Sequence, residues 1–218
     1  MDLTQDQANQ LVEWLSEIGD LSYAAAPDPN PVGVGIRLRV QSCKHVLNAD
    51  PPPPPPDPPP AIMYDSTTAA DIPANAQIVA GYVDGAFAWS DADKARFPKF
   101  ISISVNGGSM ADFWDCETGD LNAGQAAAMI QTYPGTGVYC SLDTAPQVIS
   151  ACHWAGLDGQ YVLWIADWTG QAHIPSVSAV INGQTITPEV VACQYANPAT
   201  SGGHFDLSIV TPAFLAKF

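Results

Sequence analysis

"ADFWDCETGDLNAGQAAAMIQTYPGTGVYCS", residues 111–141, is where the fold declares itself. The segment ADFWDCE (111–117) reads as a short apolar strand ending in acids. NAGQAAAMIQTY (122–133) reads as a helix, and TGVYCS (136–141) as a second apolar strand. Apolar strands bounded by helices point to an α/β fold with a parallel sheet. The same reading extends outward on both sides. Further strands are expected at AIMYDS (61–66), QIVAGYVDG (77–85), KFISISVN (99–106), YVLWIADW (161–168), VVACQYA (190–196) and FDLSIV (205–210). Helices are expected at 91–97 and 144–156. With eight strands, the expectation for residues 61–218 is a compact, irregular (β/α) TIM-like barrel, shorter than the ~250 residues usual for that architecture. An Asn182-Gly183 pair within VINGQTI (180–186) predicts a local hairpin inside it.

In such barrels reactive groups gather at the C-terminal ends of the strands. Asp65 closes one expected strand, Asp84 follows another, Asp115 and Glu117 close a third, and Asp167 follows a fourth. Asp206 lies early in its strand, the least comfortable placement of the set. Alternation along a strand puts Asp115 and Glu117 on one face and Cys116 on the other. Two neighbouring acids beside Phe113 and Trp114 can hold different protonation states, as glycosidic cleavage requires. The aromatics Tyr82, Trp89, Tyr139, Trp164, Trp168 and Tyr195 offer flat surfaces suited to sugar rings. Against this stands the ordinary use of strand-end acids as helix caps and solubilising loop residues.

Residues 1–49 read as a small α+β module. Leu3, Leu11, Val12, Trp14, Leu15, Ile18 and Leu21 fall mostly at helical spacing, with Thr4 as a cap and Gln7 three residues on. VGVGIRLRVQ (32–41) then alternates as a one-face-buried strand. So small a segment is marginal alone, which suggests packing on another protein or on a copy of itself. Residues 50–60 form a polyproline linker: nine of the ten residues from Pro51 are proline, enforcing an extended spacer of roughly 30 Å. Without flanking basic residues, a docking ligand for a proline-binding groove is the weaker reading of that run.

Seven Lys and Arg against 22 Asp and Glu give a net charge of −15. That balance argues against nucleic-acid binding and against anionic membrane surfaces. No run is apolar enough to span a bilayer, and the acidic, polar N-terminus is the reverse of a secretory signal. The five cysteines, Cys43, Cys116, Cys140, Cys152 and Cys193, are too scattered for a disulfide scaffold and read as buried thiols. His45, His153, His173 and His204 show no metal-ligand spacing, so no metal is expected.

The order of Y-D65-S, D115-x-E117, GVYCS, LWIADW, CQYA and FDLS across residues 61–218 resembles glycoside hydrolase family 25. These are lysozymes common in bacteriophages and actinobacteria, with related glycoside hydrolase-like domains in phage proteins. The resemblance implies cleavage of peptidoglycan after N-acetylmuramic acid without a cofactor or metal. Carried over by position, Glu117 is the general acid and Asp115 supports the transition state or the acetamido group. Asp65 and Asp206 complete the acidic floor. Tyr82, Asp84, Tyr139, Trp164, Asp167, Gln194 and Tyr195 line the substrate groove. The chain departs from the family at Cys193, which stands where a Trp usually precedes Gln-Tyr, and in the D-S-T after the first strand. The resulting expectation is a phage tail protein, in the virion or released onto the host wall. Its partners would be cell-wall glycan and, through residues 1–49, other tail proteins or itself. A non-catalytic structural or receptor-binding tail protein and a free endolysin are the alternatives.

Overall fold

The computed structural model describes residues 60–218 throughout and, before them, strands β1 (Leu21–Pro27) and β2 (Ile36–Cys43). The chain divides into two compact units, Met1–Pro56 and Asp57–Phe218. In the first, β1 and β2 pair antiparallel from Leu21↔Cys43 to Pro27↔Ile36, with an irregularity between Ser22 and Tyr23. The strand expected within VGVGIRLRVQ is thus present from Ile36. Leu21, counted with the helical residues, instead opens a strand. The helix expected from Leu3, its Thr4 cap, and the proline run up to Pro59 lie outside the described residues.

The second unit is a closed barrel of eight strands. In chain order these are β3 (Ala61–Asp65), β4 (Ile78–Tyr82), β5 (Lys99–Ser104), β6 (Phe113–Asp115), β7 (Gly137–Ser141), β8 (Val162–Ala166), β11 (Glu189–Ala196) and β12 (Asp206–Val210). Around the barrel they run β11-β12-β3-β4-β5-β6-β7-β8. Seven are mutually parallel, and β12 runs antiparallel to both of its neighbours. The architecture is therefore α/β-like but mixed. It has few helices: α1 (Asp91–Lys94), α2 (Ala123–Thr132), α3 (Ala145–Trp154) and α4 (Pro212–Lys217). Where a helix might connect β8 to β11, β9 (Ala179–Ile181) and β10 (Gln184–Ile186) form the anticipated hairpin. Asn182 and Gly183 both take positive φ, 51° and 79°, as a two-residue turn between twisted strands demands.

Local chemistry explains the βαβ unit that contains the site. Asn122 Oδ1 accepts from the Gln125 amide at 3.0 Å, while Gln125 Oε1 accepts from the Asn122 amide at 2.9 Å. This capping box starts α2 immediately after the acidic turn. Strand β6 alternates cleanly. Phe113 and Asp115 enter the barrel, whereas Trp114 and Cys116 pack outward under α2 and α3 with Ile130, Val148, Ile149 and Cys152. Cys116, Cys140, Cys152 and Cys193 are buried free thiols. Inside, Met63, Ile101, Phe113 and Trp164 fill the lumen. Phe214 of α4 closes one end, its ring stacked 5.9 Å from that of Phe113. Gly137 is needed opposite Phe113, because a Cβ there would lie 2.5 Å from the ring. Among the described residues, no helix is long and apolar enough to cross a membrane.

Candidate active site at the barrel mouth

The end of the barrel opposite α4 is where the seven parallel strands terminate and where β12 begins. Reversal of β12 therefore resolves the awkward position of Asp206. Being the first residue of an antiparallel strand, it sits at the mouth, directly across from Asp65 in the ladder. Asp115, the last residue of β6, is 2% exposed and faces the lumen. Glu117 does not share its strand, as alternation had suggested. Strand β6 ends at Asp115, and Glu117 stands half-buried in a turn closed by the Asp120 amide donating to the Glu117 carbonyl at 3.1 Å.

These carboxyls stand close enough to shift one another. Burial pushes Asp115 up to about 8, with the charges of Glu117 and Asp120 adding to the effect. Glu117 is raised by partial burial and by Asp120, with the Tyr139 hydroxyl pulling the other way. Asp65 is raised well above the carboxylate range, first by burial and then by Asp206. Burial raises Asp206 itself to about 6, against a hydrogen bond from Asp65. Burial and the charge of Asp206 both favour the protonated form of Asp65. One carboxyl oxygen of Asp65 and one of Asp115, both Oδ1, are buried without a donor. Protonation accommodates such oxygens better than charge does.

Gln194 organises the floor. Its Nε2 donates to Asp65 Oδ2 at 2.8 Å, and its Oε1 accepts from the Tyr139 hydroxyl at 2.9 Å and from Trp168 Nε1 at 2.7 Å. Tyr82 faces the same cluster: after burial, the charges of Asp115, Asp65, Glu117 and Asp120 all resist its ionisation. Tyr139 is hemmed in similarly by burial and by Glu117, Asp65 and Asp115. Both hydroxyls stay protonated as hydrogen-bonding groups among the acids. Phe87, 56% exposed, lies 6.2 Å from the Tyr82 ring, and Trp168 is equally exposed.

The mouth therefore gathers Asp65, Tyr82, Asp115, Glu117, Tyr139, Gln194 and Asp206. Four other expected residues are engaged with other partners or face away from the lumen. Asp84 is spent on the β5–β6 loop, accepting from Ser104 Oγ at 2.6 Å and from the amides of Val105 and Ser109. Trp164 is wholly buried in the lumen, its Nε1 donating to Ser208 Oγ at 3.0 Å, and presents no face to a ligand. Asp167 pairs with His173 Nε2 at 3.0 Å. Tyr195 points away from the lumen beside Tyr64, which packs on Phe205 at 5.2 Å. Trp89, among the candidate sugar platforms, is buried outside the barrel with Phe97. Conversely, Asp120 and Phe87 were not picked out. Asp120 was within reach, as the acid closing the E-T-G-D turn. Phe87 carries no local signal.

Comparison with protein-family models, with curated proteins and with solved structures finds no match. The site therefore rests on its own geometry. A concavity of about 460 Å³ lies at the other end of the barrel, lined by Asp158, Gln160, Tyr161, Gln184 and Lys217 among others. Size does not make it the better candidate. The perturbed, mutually interacting acids are at the mouth, and such groups mark functional sites. Among the described residues, no group of three or more His, Cys, Asp and Glu side chains is placed to hold a metal ion.

Proposed function

We propose that the barrel is a lysozyme-like domain, an irregular TIM-type variant, that engages the glycan strands of bacterial peptidoglycan and cleaves them with its mouth carboxyls. The carrying observation is the graded set of acids: Asp115 raised to about 8, Asp206 to about 6, and Glu117 raised but half-exposed. Glycosidic cleavage needs a protonated donor and an ionised partner in one site. Glu117, the most open of these, is the proton donor to the leaving oxygen. Asp206 is the ionised group at neutral pH. Asp115, protonated there, donates a hydrogen bond to the sugar, while the charge of Asp206 offsets the positive charge developing at the anomeric centre. Tyr82 and Tyr139 orient hydroxyls, and Trp168 and Phe87 supply apolar faces for sugar rings. The order of motifs across residues 61–218 supports the same reading, and with it a place in a phage tail for the whole chain.

A second reading, glycan binding without turnover, is favoured by one observation. The concavities beside Glu117 measure about 260 and about 180 Å³, below the ~300 Å³ lower end for ligand pockets. Incubating the protein with peptidoglycan and assaying new reducing ends tests both. Wild type should release them, and Glu117→Gln should lower the rate by at least ~100-fold, in line with loss of a general acid. Wall binding with no release by wild type would leave the binding reading. Release undiminished in Glu117→Gln would remove Glu117 from the chemistry.

A further inference from the structure

We propose that Trp168 is a positioning residue: its indole N–H fixes the Gln194 side-chain amide, and through it the oxygen on which Asp65 carries its proton. This rests on the cleavage reading above and deepens it, since the Asp65 proton governs Asp206, the ionised group of that reading. Three groups meet the end of Gln194. The Tyr139 hydroxyl lies 2.9 Å and Trp168 Nε1 2.7 Å from Oε1, and Asp65 Oδ2 lies 2.8 Å from Nε2. A phenol can donate or accept, and so can a protonated carboxyl. Both would tolerate the amide turned end for end. The indole N–H only donates. It therefore demands oxygen on its own side and sends Nε2 to Asp65.

Trp168 is itself held for that task. Just before it, the Asp167 amide donates to the Gln194 carbonyl at 2.9 Å, and just beyond it the Gly170 amide donates to the Tyr195 carbonyl at 2.8 Å. The segment that follows β8 is thus laced to β11 on both sides of the tryptophan. The Asp167 carboxylate meets His173 Nε2 at 3.0 Å and ties the same segment further along. Trp168 is exposed over half of its surface. Its ring stays open to solvent while its N–H is spent on the buried floor.

The consequence falls on Asp206. Asp65 Oδ2 accepts from Gln194, so Oδ1, the oxygen without a donor, carries the proton when Asp65 is neutral. Asp206 stands across the ladder from Asp65, and the hydrogen bond between their carboxyls favours the ionised form of Asp206. With the amide reversed, Gln194 Oε1 would draw the Asp65 proton to itself. Asp206 would lose its donor, and burial and the charge of Glu117 would hold its own proton to higher pH. The other titratable groups facing the two acids are Asp115 of β6, Tyr82 of β4 and Tyr139 of β7. None of them brings a positive charge to take over the donor's part. The indole N–H thus keeps Asp206 ionised at neutral pH.

The test follows the Asp206 carboxyl across pH by carbon NMR of the full chain, its signal identified by its absence from Asp206→Asn. The wild-type midpoint should fall at about 6. Trp168→Phe keeps an aromatic ring and removes the N–H. It should raise the midpoint by ~1 pH unit, a ~10-fold change in proton affinity. Trp154→Phe, the same change at the exposed tryptophan that ends α3, should leave the midpoint in place. Trp168→Phe combined with Gln194→Met should shift it no further than Gln194→Met alone, because the indole acts only through the amide. In the peptidoglycan assay the acid limb of the pH–rate profile should move up with the midpoint. A midpoint unmoved or lowered in Trp168→Phe, or raised equally in Trp154→Phe, would overturn the inference. So would additive shifts in the double variant. A midpoint raised in Trp168→Phe alone, with no reducing ends released by wild type, would support the inference and strike only the cleavage reading.

Discussion

Replacing Asp115 with Asn should make the protein more stable at alkaline pH. Asn has nearly the same shape but cannot ionise, so it occupies the lumen position without the cost of a buried charge. In the unfolded chain Asp115 titrates near 3.8, and in the fold near 8. The folded state therefore holds a proton that the unfolded state releases throughout that interval, and stability falls as pH rises from about 4 to about 8. At ~1.4 kcal/mol per pH unit the loss approaches about 6 kcal/mol. Relaxation of Glu117 and Asp120, which contribute to the shift, should reduce this, and about 3 kcal/mol is the working expectation. Below about pH 4 both states are protonated and the variant should match wild type to within ~1 kcal/mol. Urea denaturation of both proteins at about pH 4, 6 and 8.5 gives the difference directly. Asp65, Glu117 and Asp206 are raised in the same sense, so the variant retains some pH dependence. The quantity that matters is the gap between the two curves. A gap that fails to widen with pH would show that Asp115 is not held protonated in the fold. It would remove the basis for the graded acids at the mouth. A gain in stability together with a loss of glycan cleavage would be the trade expected of a site built for chemistry.

Two further outcomes follow from the hydrogen-bonded floor. Gln194→Ala breaks three side-chain bonds at once and strands buried partners, so it should cost about 2–4 kcal/mol in denaturant titration, against under 0.5 kcal/mol if Gln194 were a free ligand contact. The two tryptophans near the mouth should separate. Trp164→Ala should cost about 3–5 kcal/mol by emptying the lumen, whereas Trp168→Ala should change stability by about 1 kcal/mol and weaken carbohydrate binding in a calorimetric titration.

Much of the barrel was readable because its signals are local. Each strand is a short apolar run, and the stretch NAGQAAAMIQTY announces the helix between β6 and β7. Asn182-Gly183 announces the hairpin. The direction of β12 was not readable, because FDLSIV carries the same apolar alternation whichever way it runs. Only closure of the sheet sets it against β3 and β11. The site divides along the same line. Asp65 and Asp115 could be placed from strand ends, since parallel strands deliver their last residues to one rim. Trp164 and Trp168 could not be told apart by residue type. One strand residue faces the lumen and the other follows the strand onto the rim, a difference set by register. Asp84 has the same form as Asp65, an acid after an apolar strand. The amides of the β5–β6 loop that claim it are more than twenty residues away in sequence.

The reversed strand β12 has a further consequence, for how the barrel can be handled. Because its first residue is at the mouth, its last residue returns the chain to the closed end, where α4 sits. Strand β3 also starts at that end. Both connections of the barrel thus leave from one pole, and the acids occupy the other. A label, a surface attachment or a fused protein joined after Phe218 would point away from the mouth. Immobilising the domain through that end should therefore present the carboxyls to a polymer too large to diffuse.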